Sequence, residues 1–274
     1  MKLPQGYERI SLPRASAFAW SPVRDSVERA LQEHGTLQGW AASRPEANPL
    51  EGRGTVLAID APAQGPDGRS RWAVRHYLRG GAVAALLGDR YMRTVAPRTD
   101  LELRASCASR GRNVPTPAVV AGSVYPAGPL HYRADLITEL VPSADDLAAV
   151  LFGPESGTRA QDPSRALHAA GVLLGRTAAA GIYHPDLNAK NIVLEARASS
   201  LTAHLIDLDR CRVRARPRTK DEQAMRARLH RSLHKHAARV GTTVPEDHLL
   251  RLEEGIVAGR HAPDGAGIDA REES

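Results

Sequence analysis

The most constraining feature of this chain lies between residues 182 and 209. The run Ile182-Tyr183-His184-Pro185-Asp186-Leu187-Asn188-Ala189-Lys190-Asn191 leads into the apolar residues Ile192-Val193-Leu194. Leu205-Ile206-Asp207-Leu208-Asp209 follows, with Asp207 sixteen residues after Asn191. The stretch 165–181 before it is apolar at helical spacing and ends in Gly181, which predicts a long helix with a glycine stop. Short apolar, β-branched runs bounded by turn residues predict strands at 192–195 and 203–208. Asp186 and Asn191 therefore sit at the open end of a hairpin whose second strand delivers Asp207 to the same end. Singly, each piece has a plain explanation: Asp186 can accept backbone hydrogen bonds in a turn, and Asp207 can close a strand. Together, spacing and strand placement point to chemistry.

The chemistry that needs this arrangement is phosphoryl transfer. One carboxylate orients an acceptor hydroxyl and takes its proton, while an Asn and a further carboxylate hold Mg²⁺ on nucleotide phosphates. The segment H-x-D-L-x-x-x-N resembles the catalytic loop of the protein-kinase-like fold. That fold is α+β and two-lobed, with a small β-rich N-lobe and a larger, mostly helical C-lobe. The order of predicted elements agrees: strands around 52–60, 71–78, 113–126 and 134–141, then helices at 143–152 and 165–181. The resemblance implies further parts in the first half. Gly52 and Gly54, before a predicted strand, stand where a phosphate-covering loop belongs. Ala73-Val74-Arg75 offers Arg75 where such folds carry a lysine, and Glu102 is placed on a helix to pair with it. Thr138–Val141 is the expected hinge, with the backbone at Glu139 and Val141 holding the adenine of ATP.

Arginine at position 75 follows from a larger bias. Of 37 basic residues only Lys2, Lys190, Lys220 and Lys235 are lysine, and none lies between 2 and 190. Chemistry there that uses an ammonium must use a guanidinium, a planar group with a different donor geometry.

Further motifs narrow the resemblance. Trp72–Gly81 carries R-H-Y-x-R-G-G, Asp89-Arg90-Tyr91 follows, and Arg98-Thr99 precedes Glu102. Pro115-Thr116-Pro117, Ile206–Arg210 and Arg228-Leu229-His230-Arg231-Ser232-Leu233 complete a pattern similar to the bacterial 3-deoxy-D-manno-octulosonic acid (Kdo) kinases and the related heptose kinases of lipopolysaccharide core assembly. It spans roughly residues 50–236. The resemblance implies ATP-dependent phosphorylation of Kdo on a lipid A precursor, with Asp186 as base, Asn191 and Asp207 as Mg²⁺ ligands, and Arg75–Glu102 as the nucleotide-lobe ion pair. Arg79 and Asn188 are expected to touch the acceptor. Asn188 stands where protein kinases have a lysine, which favours a small-molecule acceptor, as do Asp209-Arg210 in place of a D-F-G glycine. A heptose or aminoglycoside kinase and a catalytically dead binding module remain alternatives.

Charge is uneven. Residues 210–240 hold eleven Lys and Arg against two acids, a net +9, while the whole chain is +6. A helix docked through Met225, Leu229, Leu233 and Ala237 explains part of this, and an anionic membrane surface or phosphorylated glycolipid is the expected partner. Nucleic acid is not expected, since no aromatic residues interleave the basic ones. Cys107 and Cys211 make neither a disulfide framework nor a zinc set. With no apolar run long enough to span a bilayer and no apolar leader at the start, a cytoplasmic location is expected, peripheral at the inner membrane face. The expected division is an extension at 1–45, an N-lobe at 46–141, a C-lobe at 142–240, and a C-terminal helix and tail at 241–274.

Overall fold

A computed structural model describes residues 2–50, 56–78, 88–94, 96–153, 162–197 and 200–261. The chain divides into two compact units, residues 1–107 with 117–140, and residues 108–116 with 141–274. The first is β-rich and the second mostly helical, the α+β class the element order predicts.

The first unit is built on an antiparallel sheet in the order β1-β2-β7-β8-β5-β4-β3. The strands are β1 (Tyr7–Leu12), β2 (Ala15–Trp20), β3 (Asn48–Pro49), β4 (Val56–Asp60), β5 (Arg71–His76), β7 (Val119–Pro126) and β8 (His131–Glu139), with β6 (Tyr91–Met92) also paired to β8. The predicted hairpin appears as β4–β5, with Val56 opposite Arg75 and Asp60 opposite Arg71. The sequence assigns no strand to residues 1–45, yet β1 and β2 form a hairpin whose second strand pairs with β7. These strands escape pattern reading because β2 buries Ala17, Phe18 and Ala19 in succession. Both its faces are covered, and period-two alternation is lost.

Two apolar clusters complete the unit. Ile10, Val27, Leu31, Leu37, Trp40, Ile59, Trp72 and Ile137 form one, drawing on helices Arg24–His34 and Leu37–Ala42. Phe18, Tyr77, Tyr91, Leu103, Tyr132 and Leu136 form the other, with Leu103 contributed by helix Arg98–Arg110. Gly122 lets helix and sheet close up: a Cβ there would lie 2.6 Å from the Phe18 ring and 3.0 Å from Thr99 Cβ.

The second unit is organised by helix Pro163–Ala179, which starts at the capping side chain of Asp162 and is followed by Gly181 at φ 69°. Against it lies helix Glu246–Arg260, in the region beyond the kinase resemblance. Gly171 and Gly175 on one helix face Gly255 and Gly259 on the other. A Cβ at any of the four would sit 2.2 Å from a carbonyl oxygen of the opposing helix. The two backbones therefore touch, close enough for Cα–H···O contacts. A hairpin of β11 (Ile192–Arg197) and β12 (Ser200–Leu205) carries β9 (Ala144–Asp146) on its edge. The helix expected at 143–152 begins later, at Leu147. Ser143 has φ 47°, and Asp146 is the capping side chain. Helix Thr219–Arg239 buries Met225, Leu229, Leu233 and Ala237, as its spacing predicts.

Candidate active site

In the first unit, Arg75 on β5 reaches Glu102 on helix Arg98–Arg110, with Nη2 2.7 Å from Oε2. The Tyr77 hydroxyl donates to the same Oε2, and the Arg75 guanidinium lies 4.7 Å from the centroid of the Tyr77 ring. Glu102 is buried, so its charge is held by side-chain donors, Arg75 and Tyr77 among them, rather than by water. The arginine thus stands in the ion pair expected of it. Glu139 has its side chain occupied elsewhere: Oε1 accepts from the amides of Asp67 (2.8 Å) and Arg69 (3.3 Å). A Cβ at Gly65 would lie 2.3 Å from this oxygen, so the loop approaches closely. The backbone amide of Glu139 donates to Ala118 O, and that of Leu140 to Arg71 O. Val141, the first residue of this stretch in the second unit, is half-buried. Gly52, Gly54 and Arg79 lie outside the described residues.

The R-H-Y motif has a second consequence that spacing does not reveal. His76 stands between two carboxylates, with Nδ1 2.6 Å from Asp135 Oδ1 and Nε2 3.1 Å from Asp89 Oδ2. Asp135 is fully buried, and its Oδ2 accepts from the Tyr125 hydroxyl (2.8 Å) and the Gln38 amide (2.9 Å). The hydrogen bond to Asp135 raises the His76 pKa, against the lowering effect of burial. Burial, reinforced by the Asp135 charge, holds the Tyr125 phenol well above its ordinary value.

In the second unit the loop after β10 (Ile182–Tyr183) is cross-braced by its own side chains. Nδ2 of Asn188 (2.9 Å) and of Asn191 (3.2 Å) both donate to the Asp186 carbonyl. Asn188 Oδ1 accepts from the Lys190 amide, so both ends of this side chain hold the loop. Burial lowers the His184 pKa, leaving a neutral imidazole. Its Nδ1 accepts from the Asp186 amide (3.3 Å) and its Nε2 lies 3.2 Å from Ile206 O. This assigns the Nε2–H tautomer, with the ring tying the loop to the residue before Asp207. Ile206 N in turn donates to Asn191 O (3.0 Å). Asp207 sits at φ 64°, ψ 54°, a left-handed conformation that Asp tolerates better than most residues. The hairpin thereby brings Asp186, Asn191 and Asp207 to one end, as the sequence predicts.

Helix Thr219–Arg239 completes the loop's surroundings. Met225 Sδ accepts from the His184 amide (3.3 Å) and Ser232 Oγ from the Ala189 amide (3.1 Å). Between them Arg228 Nη1 lies 3.6 Å from Asp186 Oδ1, while Arg210 Nη1 pairs with Asp186 Oδ2. Sequence reasoning missed both pairs. The available signal was the R-L-x-R-S-L element, whose Arg and Ser recur at i and i+4 on one helix face.

Among the described residues no three His, Cys, Asp or Glu side chains converge as a metal set. Asn191 and Asp207 are hard oxygen donors. With its Nδ2 committed to the loop, Asn191 keeps Oδ1 as an acceptor. Two such ligands suit Mg²⁺, which takes one or two protein groups and fills its octahedron with phosphate oxygens and water.

Comparison with known proteins follows this geometry. A profile of the lipopolysaccharide kinase (Kdo/WaaP) family matches residues 40–249. A 3-deoxy-D-manno-octulosonic acid kinase of Xanthomonas oryzae pv. oryzae (strain PXO99A) is 36% identical over 249 residues, 88% of this chain and 85% of its own. One from Stenotrophomonas maltophilia (strain R551-3) is 33% identical over 214 residues, 77% and 78% of the two chains. Among solved structures, WaaP in complex with acyl carrier protein has a TM-score of 0.46 and 17% identity, covering 80% of this chain and 79% of that one.

Proposed function

Since the chain belongs to the lipopolysaccharide kinase (Kdo/WaaP) family, we propose that it transfers the γ-phosphoryl group of ATP to a hydroxyl of Kdo carried on a lipid A precursor. The observation that supports this most directly is the braced loop: Asp186 has its carbonyl held by two amides, its own amide held by His184, and its carboxylate exposed. In this reading the acceptor oxygen forms its bond to the γ-phosphorus as the bond to the bridging oxygen breaks. ADP leaves, and the hydroxyl proton passes to the Asp186 carboxylate. Asn191 Oδ1 and the Asp207 carboxylate would hold Mg²⁺, which supplies charge neutralisation on the phosphates. Arg75, fixed by Glu102 and Tyr77, would meet the nucleotide phosphates in place of a lysine. A guanidinium offers two parallel donors to phosphate oxygens where an ammonium is a point charge.

The same reading assigns a membrane-facing role to segment 210–240 at the cytoplasmic face. Some of its charge is neutralised within the fold, with Arg214 paired to Asp221 and Arg226 to Glu253. Arg212, Arg216, Arg218 and Lys220 remain exposed in consecutive chain, a density that attracts anionic lipid at about 1 kcal/mol per residue. No helix among the described residues is long and apolar enough to cross a membrane.

The test is mass spectrometry of Kdo–lipid A precursor after incubation with the protein and Mg·ATP. A product carrying one added phosphoryl group on the Kdo residue is expected. Phosphorylation of heptose or an aminoglycoside but not Kdo would move the acceptor to that class, and nucleotide binding with no turnover on any acceptor would mark a binding module.

A further inference from the structure

We propose that Arg210 and Arg228 form the binding site for the acceptor's own carboxylate, releasing Asp186 when an acidic sugar arrives and making its negative charge a condition of efficient turnover. The proposal rests on the reading of Asp186 as the group that takes the hydroxyl proton.

The starting point is an imbalance. Two guanidiniums meet one carboxylate: Arg210 Nη1 at Oδ2 and Arg228 Nη1 at Oδ1. The local sum is +1. Each guanidinium has five N–H donors, and Asp186 is met by a single Nη1 of each. Side-chain exposure is 58% for Arg210, 43% for Arg228 and 37% for Asp186. Ion pairs this open to water contribute at most about 1 kcal/mol, so exchanging the carboxylate they hold costs little.

The same pairs oppose catalysis. Both oxygens of the carboxylate are engaged, Oδ2 by Arg210 and Oδ1 by Arg228, so an arriving hydroxyl meets an occupied acceptor. A neutral sugar entering beside Asp186 has nothing to offer the two arginines and leaves the base engaged. An acidic sugar brings a second carboxylate that the guanidiniums can take up with their remaining donors, in the planar, two-point geometry that arginine makes with carboxylates. Asp186 is then freed next to the hydroxyl it must deprotonate.

Both arginines are positioned by buried anchors. Arg228 precedes the fully buried Leu229 and stands one turn before Ser232, whose Oγ accepts from the Ala189 amide at 3.1 Å. The helix face carrying Arg228 is therefore pinned to the loop that carries Asp186. Arg210 closes the short 3-10 turn Leu208–Arg210, in which Leu208 and Asp209 are buried. The charged groups are solvated while the backbone that aims them is fixed, which is the arrangement expected of a ligand site.

The test compares Kdo–lipid A precursor with the same precursor methyl-esterified at the Kdo carboxylate, the same sugar without the charge, under steady-state conditions with Mg·ATP. Wild-type protein is expected to prefer Kdo by roughly five- to thirtyfold in kcat/KM, the scale of one or two exposed charge pairs at about 1 kcal/mol each. In Arg228→Met the ratio between the two acceptors should fall toward one through KM for Kdo, and Arg228→Lys should restore part of it. Arg210→Met, on a different element, repeats the test if the helix variant misfolds. A wild type indifferent to esterification, or an arginine variant that slows both acceptors equally, overturns the proposal while leaving the kinase reading intact. Failure of the wild type on both probes overturns the Kdo acceptor itself, and the proposal with it.

Discussion

Two charge clusters in this molecule are inversions of each other. In the β-rich unit one imidazole, His76, lies between two carboxylates, Asp135 and Asp89. In the helical unit one carboxylate, Asp186, lies between two cations, Arg210 and Arg228. The counts match, but the surroundings do not. Asp135 has no exposed side-chain surface and uses both oxygens on fixed donors, whereas every member of the Asp186 cluster is more than a third exposed. Burial makes a partner expensive to lose, and exposure makes it exchangeable. The first cluster holds strands and a helix together, and the second is free to do work on something that arrives.

The contrast can be broken in order of expected effect. Asp186→Asn should lower phosphoryl transfer by about 10²–10⁴-fold, the usual contribution of a positioned general base, with ATP affinity and thermal unfolding little changed. Near wild-type turnover would remove Asp186 from its role. Asp135→Ala should cost about 3–5 kcal/mol, because it leaves the His76 imidazole and two buried donors without their acceptor. A urea titration reads this directly, and a loss below 1 kcal/mol would mean the cluster is not structural. Arg228→Met should change the same titration by less than about 1 kcal/mol, so a larger loss would erase the difference between the clusters.

A pH series sharpens the point further. The His76 pKa is raised in the folded state, so its contribution to stability is complete below the unfolded value of about 6.5 and is lost as pH rises through the folded value. His76→Gln should flatten the stability profile of the first unit above pH 6.5. An unchanged slope would show that His76 is not the titrating group.

How much of this was legible in the sequence depended on distance along the chain. Asp186, Asn191 and Asp207 lie within one loop and one hairpin, so spacing alone places them together. Glu102 was reachable because the kinase resemblance calls for a helical glutamate to pair with Arg75. The Arg210 and Arg228 contacts with Asp186 bridge 24 and 42 residues, and no local period encodes where a guanidinium will end. Asp135 was invisible for a different reason: within the strand run Ala134–Val141 an acid reads as an outward-facing residue, and only the fold shows that Tyr125, Gln38 and His76 surround it. Strand β2 was missed because Ala17, Phe18 and Ala19 are buried in succession, and β1 because its buried residues, Tyr7 and Ile10, stand three apart and carry no alternation.

The four-glycine seam between helices Pro163–Ala179 and Glu246–Arg260 bears on synthesis. A ribosome delivers the chain in order, and the helix carrying Gly171 and Gly175 emerges some eighty residues before Gly255 and Gly259. Until then its glycine face presents bare backbone where no side chain can substitute for the missing partner. This seam therefore closes only when helix Glu246–Arg260 docks, after every residue of the catalytic loop has already been made.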